Sequence, residues 1–173
     1  SPTLTGCLIR NIVSEGITCD TNSALTLTGC TISGNGSGIK ATNSFLAITD
    51  STIQDNTGEY NYMQGAGLHL DSSEAWIVGC TFTGNGASTH YVYGGAIHLR
   101  RSSATVDQSL FSDNRAREGG GVFIQYPDSS LFLSGCSFTK NSAWDGDGGA
   151  VCYYSGESLI CLLYTSDAAD EED

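Results

Sequence analysis

The chain repeats one short pattern of apolar, small and polar positions six times. A small residue, Cys or Ser, marks each copy, and successive copies are separated by 23, 21, 29, 29 and 27 residues. An apolar residue lies three positions before and two positions after each small residue in 12 of 12 cases, where a 39% hydrophobic composition gives about five by chance. The six small residues are Cys7, Cys30, Ser51, Cys80, Ser109 and Cys136.

This period predicts a solenoid made of short strands. Each repeat also contains a glycine-rich step followed by alternating apolar residues, as in Leu68-His69-Leu70 and Ile97-His98-Leu99. Alternation is typical of a strand with one buried face. Together with the strands on either side of the small residue, each repeat holds three short strands. We therefore expect an all-β fold over residues 1–160: a right-handed, single-stranded parallel β-helix of about six coils, because parallel crossovers are right-handed by default.

An asparagine column predicts how one corner of each coil turns. Asn tolerates the left-handed backbone conformation, and its amide can bond to the same amide one coil away. We therefore expect a stacked ladder of asparagines. In the first repeat Ile12 occupies the column, so we expect that coil to be irregular. The column consists of Asn35, Asn56, Asn85, Asn114 and Asn141.

Charge and composition exclude some classes of function. The chain has 19 Asp and Glu against 7 Lys and Arg, which argues against nucleic-acid binding because that needs a basic surface. No apolar run approaches the roughly 20 residues of a membrane-spanning helix, so we expect no membrane insertion by this segment. The chain starts at Ser1 without a charged and apolar leader. We interpret it as a fragment without caps at either end, and expect it to fray or aggregate when expressed alone.

The repeat stops matching near the C-terminus. Another small position is expected near residue 164, but the string from Cys161 to Glu171 breaks the pattern. That string resembles the in-frame translation of a sequencing-library adapter. We therefore expect residues 161–173 not to belong to the natural protein, or else to form a disordered acidic tail.

Two motifs carry a family resemblance. Phe82-Thr-Gly-Asn85 follows F-x-x-N, and Gly94-Gly-Ala-Ile97 follows G-G-A-[ILV]. Both resemble the repeats of the polymorphic outer-membrane proteins of chlamydia-like bacteria, and more broadly right-handed β-helix proteins with a pectate-lyase-type fold. The first resemblance implies a non-catalytic passenger or stalk, secreted or displayed at the cell surface, whose loops serve adhesion. The second implies the alternative, a segment of a polysaccharide lyase or hydrolase whose catalytic coils lie elsewhere.

The cysteines have three interpretations. They share the parity of the inward Phe positions, and Ser51 and Ser109 occupy the same column, which indicates that small size is what the position requires. Buried free Cys behaves as a small apolar residue. A disulfide between Cys7 and Cys30 or a metal site are the alternatives, although no C-x-x-C is present.

Two histidines are candidate metal ligands. His69 and His98 occupy the same outward position in successive repeats, so we expect them to be neighbours on one sheet face. Two imidazoles with Asp71 nearby have the chemistry of a metal site. However, Lys40 and Phe123 flank them, and we expect Asp71 to pair with Arg100 across the strands instead.

The loops between the Asn column and the glycine step are the candidate ligand-facing surface. We expect them to project from one edge of successive coils, where exposed aromatic rings can stack on sugars or contact a protein. The partner would then be a glycan or a protein of a host or cell surface, besides neighbouring β-helix coils. The alternative is that the rings fold back and cover the edge. The residues are Tyr60, Tyr62, His90, Tyr91, Tyr93 and Trp144.

Carboxylates give the enzyme alternative little support. Asp145-Gly-Asp147 is the densest group and has the chemistry to bind calcium weakly. Paired carboxylates are what glycoside hydrolysis requires, but a lone D-x-D is a low-specificity signal. We therefore expect no catalytic residue and no cofactor, and weakly bound calcium is the alternative.

Overall fold

The computed structural model describes residues 1–58, 65–87, 91–154 and 159–161, the last three as backbone only. Within them the chain forms three large parallel sheets and one small two-stranded parallel sheet. The first sheet contains β1 (Thr3–Thr5), β4 (Ala24–Thr28), β7 (Phe45–Thr49), β10 (Glu74–Val78), β13 (Ser103–Asp107), β17 (Ser130–Ser134) and β21 (Leu159–Cys161). The second contains β2 (Leu8–Arg10), β5 (Thr31–Ser33), β8 (Thr52–Gln54), β11 (Thr81–Thr83), β14 (Leu110–Ser112) and β18 (Ser137–Thr139). The third contains β3 (Glu15–Asp20), β6 (Ser37–Thr42), β9 (Leu68–Asp71), β12 (Ile97–Arg100), β16 (Val122–Gln125) and β20 (Val151–Tyr153).

The chain visits the three sheets in turn, so each circuit is one coil. Six consecutive sets of three strands follow one another, and β21 begins the next set. Every pairing is parallel and joins one coil to the next, as between Ile97 and Leu68. The predicted parallel β-helix is therefore confirmed. Among the described residues there is no helix long and apolar enough to cross a membrane.

The core is the lumen of the solenoid. Alternate residues of all three sheets point into it, and the predicted Phe column forms a stack: the rings of Phe82 and Phe111 lie 5.1 Å apart and those of Phe111 and Phe138 lie 4.5 Å apart, each pair 3° from parallel. Ile32 and Ile53 continue this column in the earlier coils and are fully buried. Burial of these side chains drives the coils together.

The asparagine ladder is confirmed at the corner between the second and third sheets. The Nδ2 group of Asn56 donates to Oδ1 of Asn85 at 2.9 Å, and Asn85 donates to Asn114 at 3.0 Å. Each Oδ1 also accepts the backbone N–H of the Asn in the preceding coil, as from Asn56 to Asn85 at 3.2 Å. One expectation is wrong: the left-handed residue is the one before each Asn, for example Asp55 with φ 54°.

That correction also explains the first coil. Asn11 takes the left-handed position with φ 58°, and Ile12 takes the ladder position. The backbone N–H of Ile12 donates to Oδ1 of Asn35 at 3.0 Å. The ladder therefore continues into the first coil through the backbone, although no side-chain amide is there.

The Cys and Ser column closes the corner between the first and second sheets. Cys30, Ser51, Cys80 and Ser109 are each at most 1% exposed, which confirms the core role, and the six cysteines whose side chains are described are free thiols. Small size is not the whole requirement. Ser109 Oγ donates to the carbonyl of Asp107 at 2.9 Å and accepts the N–H of Cys80 at 3.1 Å. Burial raises the pKa of the Cys80 thiol, with Asp50 acting in the same direction, so it stays neutral.

A second serine ladder, at the corner between the third and first sheets, was missed in the sequence. Ser73 Oγ donates to the carbonyl of Asp71 at 2.8 Å and accepts the N–H of Ser44 at 3.0 Å. Ser102 accepts the N–H of Ser73 at 3.0 Å in the next coil. Side-chain hydrogen bonds therefore satisfy backbone groups at all three corners, where the strand ladders stop.

The glycine step leaves no room for a side chain at Gly95. A Cβ on Gly95 would lie 2.4 Å from the carbonyl oxygen of Gly120 in the next coil and 2.8 Å from the amide nitrogen of Arg115. Both neighbours are backbone atoms, so neither can move aside. The step thus lets the chain enter the third sheet in contact with the coil above it.

Candidate functional site

The two candidate histidines lie side by side on the outer face of the third sheet. His69 on β9 and His98 on β12 are register partners, and their ring centroids are 4.9 Å apart. Their strand neighbours Leu68 and Leu70 point into the lumen. The predicted adjacency is therefore confirmed.

The pair is buried, although it lies outside the lumen. His69 is 3% and His98 0% exposed. The rings of Phe123 and Tyr93 lie against His98, with centroids 5.3 Å and 6.5 Å away, and His98 in turn packs on His69. Burial, with Lys40 and Arg100 adding repulsion, lowers the pKa of His69 to about 3. Burial lowers the pKa of His98 well below its usual value too, and His69 adds to this. Both rings are therefore neutral at pH 7.

The partners of these histidines do not form a metal site within the described residues. His98 Nε2 lies 3.2 Å from Oε1 of Gln125, while Nδ1 of each ring has no hydrogen-bond partner among the described residues. Asp71 is engaged by Arg100, whose Nη1 donates to Oδ2 at 2.7 Å, which confirms the predicted cross-strand ion pair. In the described part of the chain no group of three or more His, Cys, Asp or Glu side chains is placed to hold a metal ion.

A second cluster lies where the loops after Asn85, Asn114 and Asn141 meet. We call Tyr91, Tyr93, Arg117 and Asp145 the tyrosine–arginine cluster. The Arg117 guanidinium lies over the ring of Tyr91, 4.9 Å from its centroid, and donates to Tyr93 Oη at 3.3 Å. Its Nε donates to Oδ2 of Asp145 at 2.8 Å. The loops of three successive coils therefore meet around one cation.

The backbone of these loops continues the stacking of the coils. The N–H of Arg117 donates to the carbonyl of Val92 at 2.8 Å, and the N–H of Trp144 donates to that of Ala116 at 3.1 Å. Two short strands, β15 (Arg115–Ala116) and β19 (Ser142–Ala143), pair in parallel. Val92, Ala66 and Ala116 form a small apolar cluster of their own. The loops are thus held by hydrogen bonds and packing.

The predicted loop aromatics differ in how far they are exposed. Tyr91 is 51% and Trp144 36% exposed, as expected for a contact surface, whereas Tyr93 is half-buried and packs on Phe123 at 5.0 Å. Some of the rings are therefore exposed and another folds back against the coil, and ligand binding by the exposed rings stays a prediction. Tyr60, Tyr62 and His90 lie outside the described residues.

The two aspartates of the D-x-D group go to different partners. Asp145 pairs with Arg117, while Asp147 lines a cavity of about 420 Å³ together with Glu118 and Tyr154. The position of Glu118 and Asp147 on the same cavity was missed in the sequence. The signal was their separation of 29 residues, which equals one repeat.

The fold and this site together define a solenoid scaffold with loops on one edge. A family model for right-handed β-helix regions matches residues 1–104 and again residues 45–161. The chain therefore belongs to the right-handed β-helix family. Comparisons with curated proteins and with solved structures gave no match.

Proposed function

We propose that this chain is a non-catalytic segment of a surface-exposed or secreted protein, and that it displays its loops for adhesion. The observation that carries the proposal is the tyrosine–arginine cluster, which is exposed in part and held in place by three coils. The resemblance of the F-x-x-N and G-G-A motifs to the repeats of polymorphic outer-membrane proteins supports the same role. A passenger of that kind acts outside the cell.

The cluster has the properties of a preorganised binding surface. Aromatic rings and Arg are the side chains that dominate binding at interfaces, and here the Arg117 guanidinium already stacks on Tyr91. The side chain of Arg117 is 29% exposed and that of Asp145 50%. Because the loops are hydrogen-bonded to one another, little conformational entropy is lost when a partner binds. The partner we expect is a glycan or a protein of a host or cell surface.

The direct test is a binding titration of the labelled full chain on cultured eukaryotic cells. We expect saturable binding that Arg117→Ala weakens at least about tenfold, since it removes the centre of the cluster. Arg115→Ala is the matched control, because it makes the same change at an exposed Arg of the same loop. Its binding should equal that of the unaltered chain.

Treatment of the cells separates the two classes of partner. Loss of binding after protease treatment indicates a protein, and loss after glycosidase treatment with protein intact indicates a glycan. Absence of saturable binding, or equal effects of the two arginine variants, would contradict the proposal.

One observation favours the enzyme alternative as a second candidate. Glu118 and Asp147 line the same cavity beside the exposed ring of Tyr154. Two carboxylates beside a ring that can stack on a sugar are the elements of glycoside hydrolysis. Release of reducing ends from a polysaccharide panel, including polyuronates with added calcium, would support it. Activity that persists in Glu118→Gln and Asp147→Asn would exclude these residues.

A further inference from the structure

A shallow trough runs across four coils at the corner between the third and first sheets, away from the tyrosine–arginine cluster. One wall is a row of residues with left-handed backbone and the other is the first outward row of the first sheet. We call it the corner trough, and its volume is about 610 Å³. The walls are Asn22, Asn43, Ser72 and Arg101 on one side and Ala24, Phe45, Glu74 and Ser103 on the other.

Two side-chain amides on the wall of the trough are not used by the fold. Neither Asn22 nor Asn43 makes a side-chain hydrogen bond within the described residues, in contrast to the buried ladder of Asn56, Asn85 and Asn114 at the opposite corner. The backbone beneath is satisfied by the serine ladder instead, as where Ser44 Oγ donates to the carbonyl of Thr42 at 2.8 Å. The amides therefore face solvent with their donors and acceptors free.

The trough also presents an apolar ring surface. Phe45 is 40% exposed and sits between Ala24 and Glu74 in register, so small or flexible neighbours leave its ring accessible. Trp76, on the same outward face two residues beyond Glu74, is 58% exposed and is flanked by Ala47 and Thr105. Such rings, beside free amide and hydroxyl groups, match the alternating apolar and hydroxyl faces of a sugar.

The charge and the length of the trough narrow the class of ligand further. The trough contains one basic residue, Arg101, against two acidic ones, Glu74 and Asp128, and the whole chain has a net charge of −12. An anionic ligand is therefore disfavoured. Four coils at the strand spacing of about 4.8 Å span about 14 Å between the first and the last, the length of a short oligosaccharide.

We infer that the corner trough binds an extended neutral glycan, with Phe45 as a stacking surface and Asn22 and Asn43 as hydrogen-bonding groups. This site is separate from the loop surface proposed above for adhesion. The wall residues of the trough recur once in each coil, so we place one saccharide unit against each coil.

Calorimetric titration of the full chain tests the inference. The probes are soluble cello-, xylo- and manno-oligosaccharides, with oligogalacturonate as the anionic comparison. We expect at least one neutral oligosaccharide to bind, and oligogalacturonate to bind at least about tenfold more weakly. No measurable binding of any neutral probe at millimolar concentration, or tighter binding of oligogalacturonate, would overturn it.

Two variants place the binding in the trough. Asn43→Gly removes the amide while allowing the local φ of 47°, and Phe45→Ala removes the exposed ring. Each should weaken oligosaccharide binding about tenfold, whereas Leu110→Ala, which removes an equally exposed apolar side chain on the second sheet, should leave it unchanged. Unchanged affinity in Asn43→Gly would overturn the inference even if Phe45→Ala failed to fold. Since cell adhesion depends on Arg117, the two proposals can fail independently.

Discussion

At the residue scale, one amino-acid type performs two different tasks in this chain, and the surroundings decide which. Asn85 is fully buried, and its Nδ2 group donates both to Asn114 and to the carbonyl of Ile53 at 2.9 Å. Asn43 is exposed and has a side chain without a hydrogen-bond partner among the described residues. The first Asn closes a corner of the coil, whereas the second is free to meet a ligand.

This difference predicts the effect of removing each amide. Asn85→Ala removes the acceptor of the backbone N–H of Asn56 and one of the two acceptors of its Nδ2 group, together with a donor to the carbonyl of Ile53. We therefore expect it to lower the free energy of unfolding by about 3 kcal/mol or more. Asn43→Gly should change the free energy of unfolding by less than about 1 kcal/mol. Urea unfolding followed by circular dichroism measures both, and equal losses would contradict the assignment.

The buried histidine pair predicts a pH dependence of stability. In the unfolded chain both imidazoles take up protons near pH 6.5, whereas in the folded protein the pKa of His69 is about 3 and that of His98 is lowered too. The unfolded state therefore binds more protons below pH 6.5. Stability is fully present above this pH and falls as the pH decreases, by up to about 2.7 kcal/mol per pH unit for the two groups.

Phenylalanine is the matched replacement, because Phe123 occupies the same column one coil further on. Urea unfolding between pH 7 and pH 5 should show a much flatter dependence for His69→Phe/His98→Phe than for the unaltered chain. Lys40, Arg100, Asp71 and Glu15, the charged groups nearby, remain in both proteins. Equal slopes would mean that the imidazoles are accessible to protons in the folded state.

At the element scale, the coil depends on backbone-to-backbone contact at the glycine step and on side-chain hydrogen bonds at the corners. The loops follow the same rule, since β15 and β19 pair in parallel and Tyr93 bridges to Glu118. Because these loops stack like coils, they hold the Arg117 guanidinium in place over the ring of Tyr91. The adhesive surface proposed here is therefore an extension of the solenoid.

The glycine step predicts a steric effect that can be separated from backbone conformation. Gly95→Ala would place a Cβ 2.4 Å from a backbone oxygen, so we expect a loss of about 3 kcal/mol in the free energy of unfolding. Gly29→Ala meets nothing within 4 Å, but it occupies a φ of 60° and should cost about 1 kcal/mol. Thermal and urea unfolding of both variants checks this order; a reversed order would contradict the close approach of the coils.

At the scale of the whole molecule, the repeats made the fold predictable from the sequence. The columns at Cys80 and Phe82 recur in every coil, so parallel strands, the lumen and the Asn ladder were all predicted. The serine ladder through Ser73 was equally periodic but lacked an apolar signature, and it was missed. The expectation that residues 161–173 are not natural stays a prediction.

The site was less predictable, because burial by distant loops leaves no local pattern. His69 and His98 have the outward parity of exposed residues, yet both are buried, and among the described residues Tyr93 and Phe123 pack against His98. The partner of Arg117 was likewise undetermined, since Asp145 lies 28 residues away. Period predicts which residues share a column, whereas loop packing decides which of them are exposed.

Amide hydrogen exchange on the native chain tests most directly whether side-chain ladders lock the coils into a rigid platform. We expect the amides of Asn56, Cys80 and Ser73, each bonded to a side-chain oxygen, to exchange as slowly as the strand amide of Ile97. Exchange of these corner amides at the rate of an unprotected peptide, with Ile97 protected, would contradict this expectation.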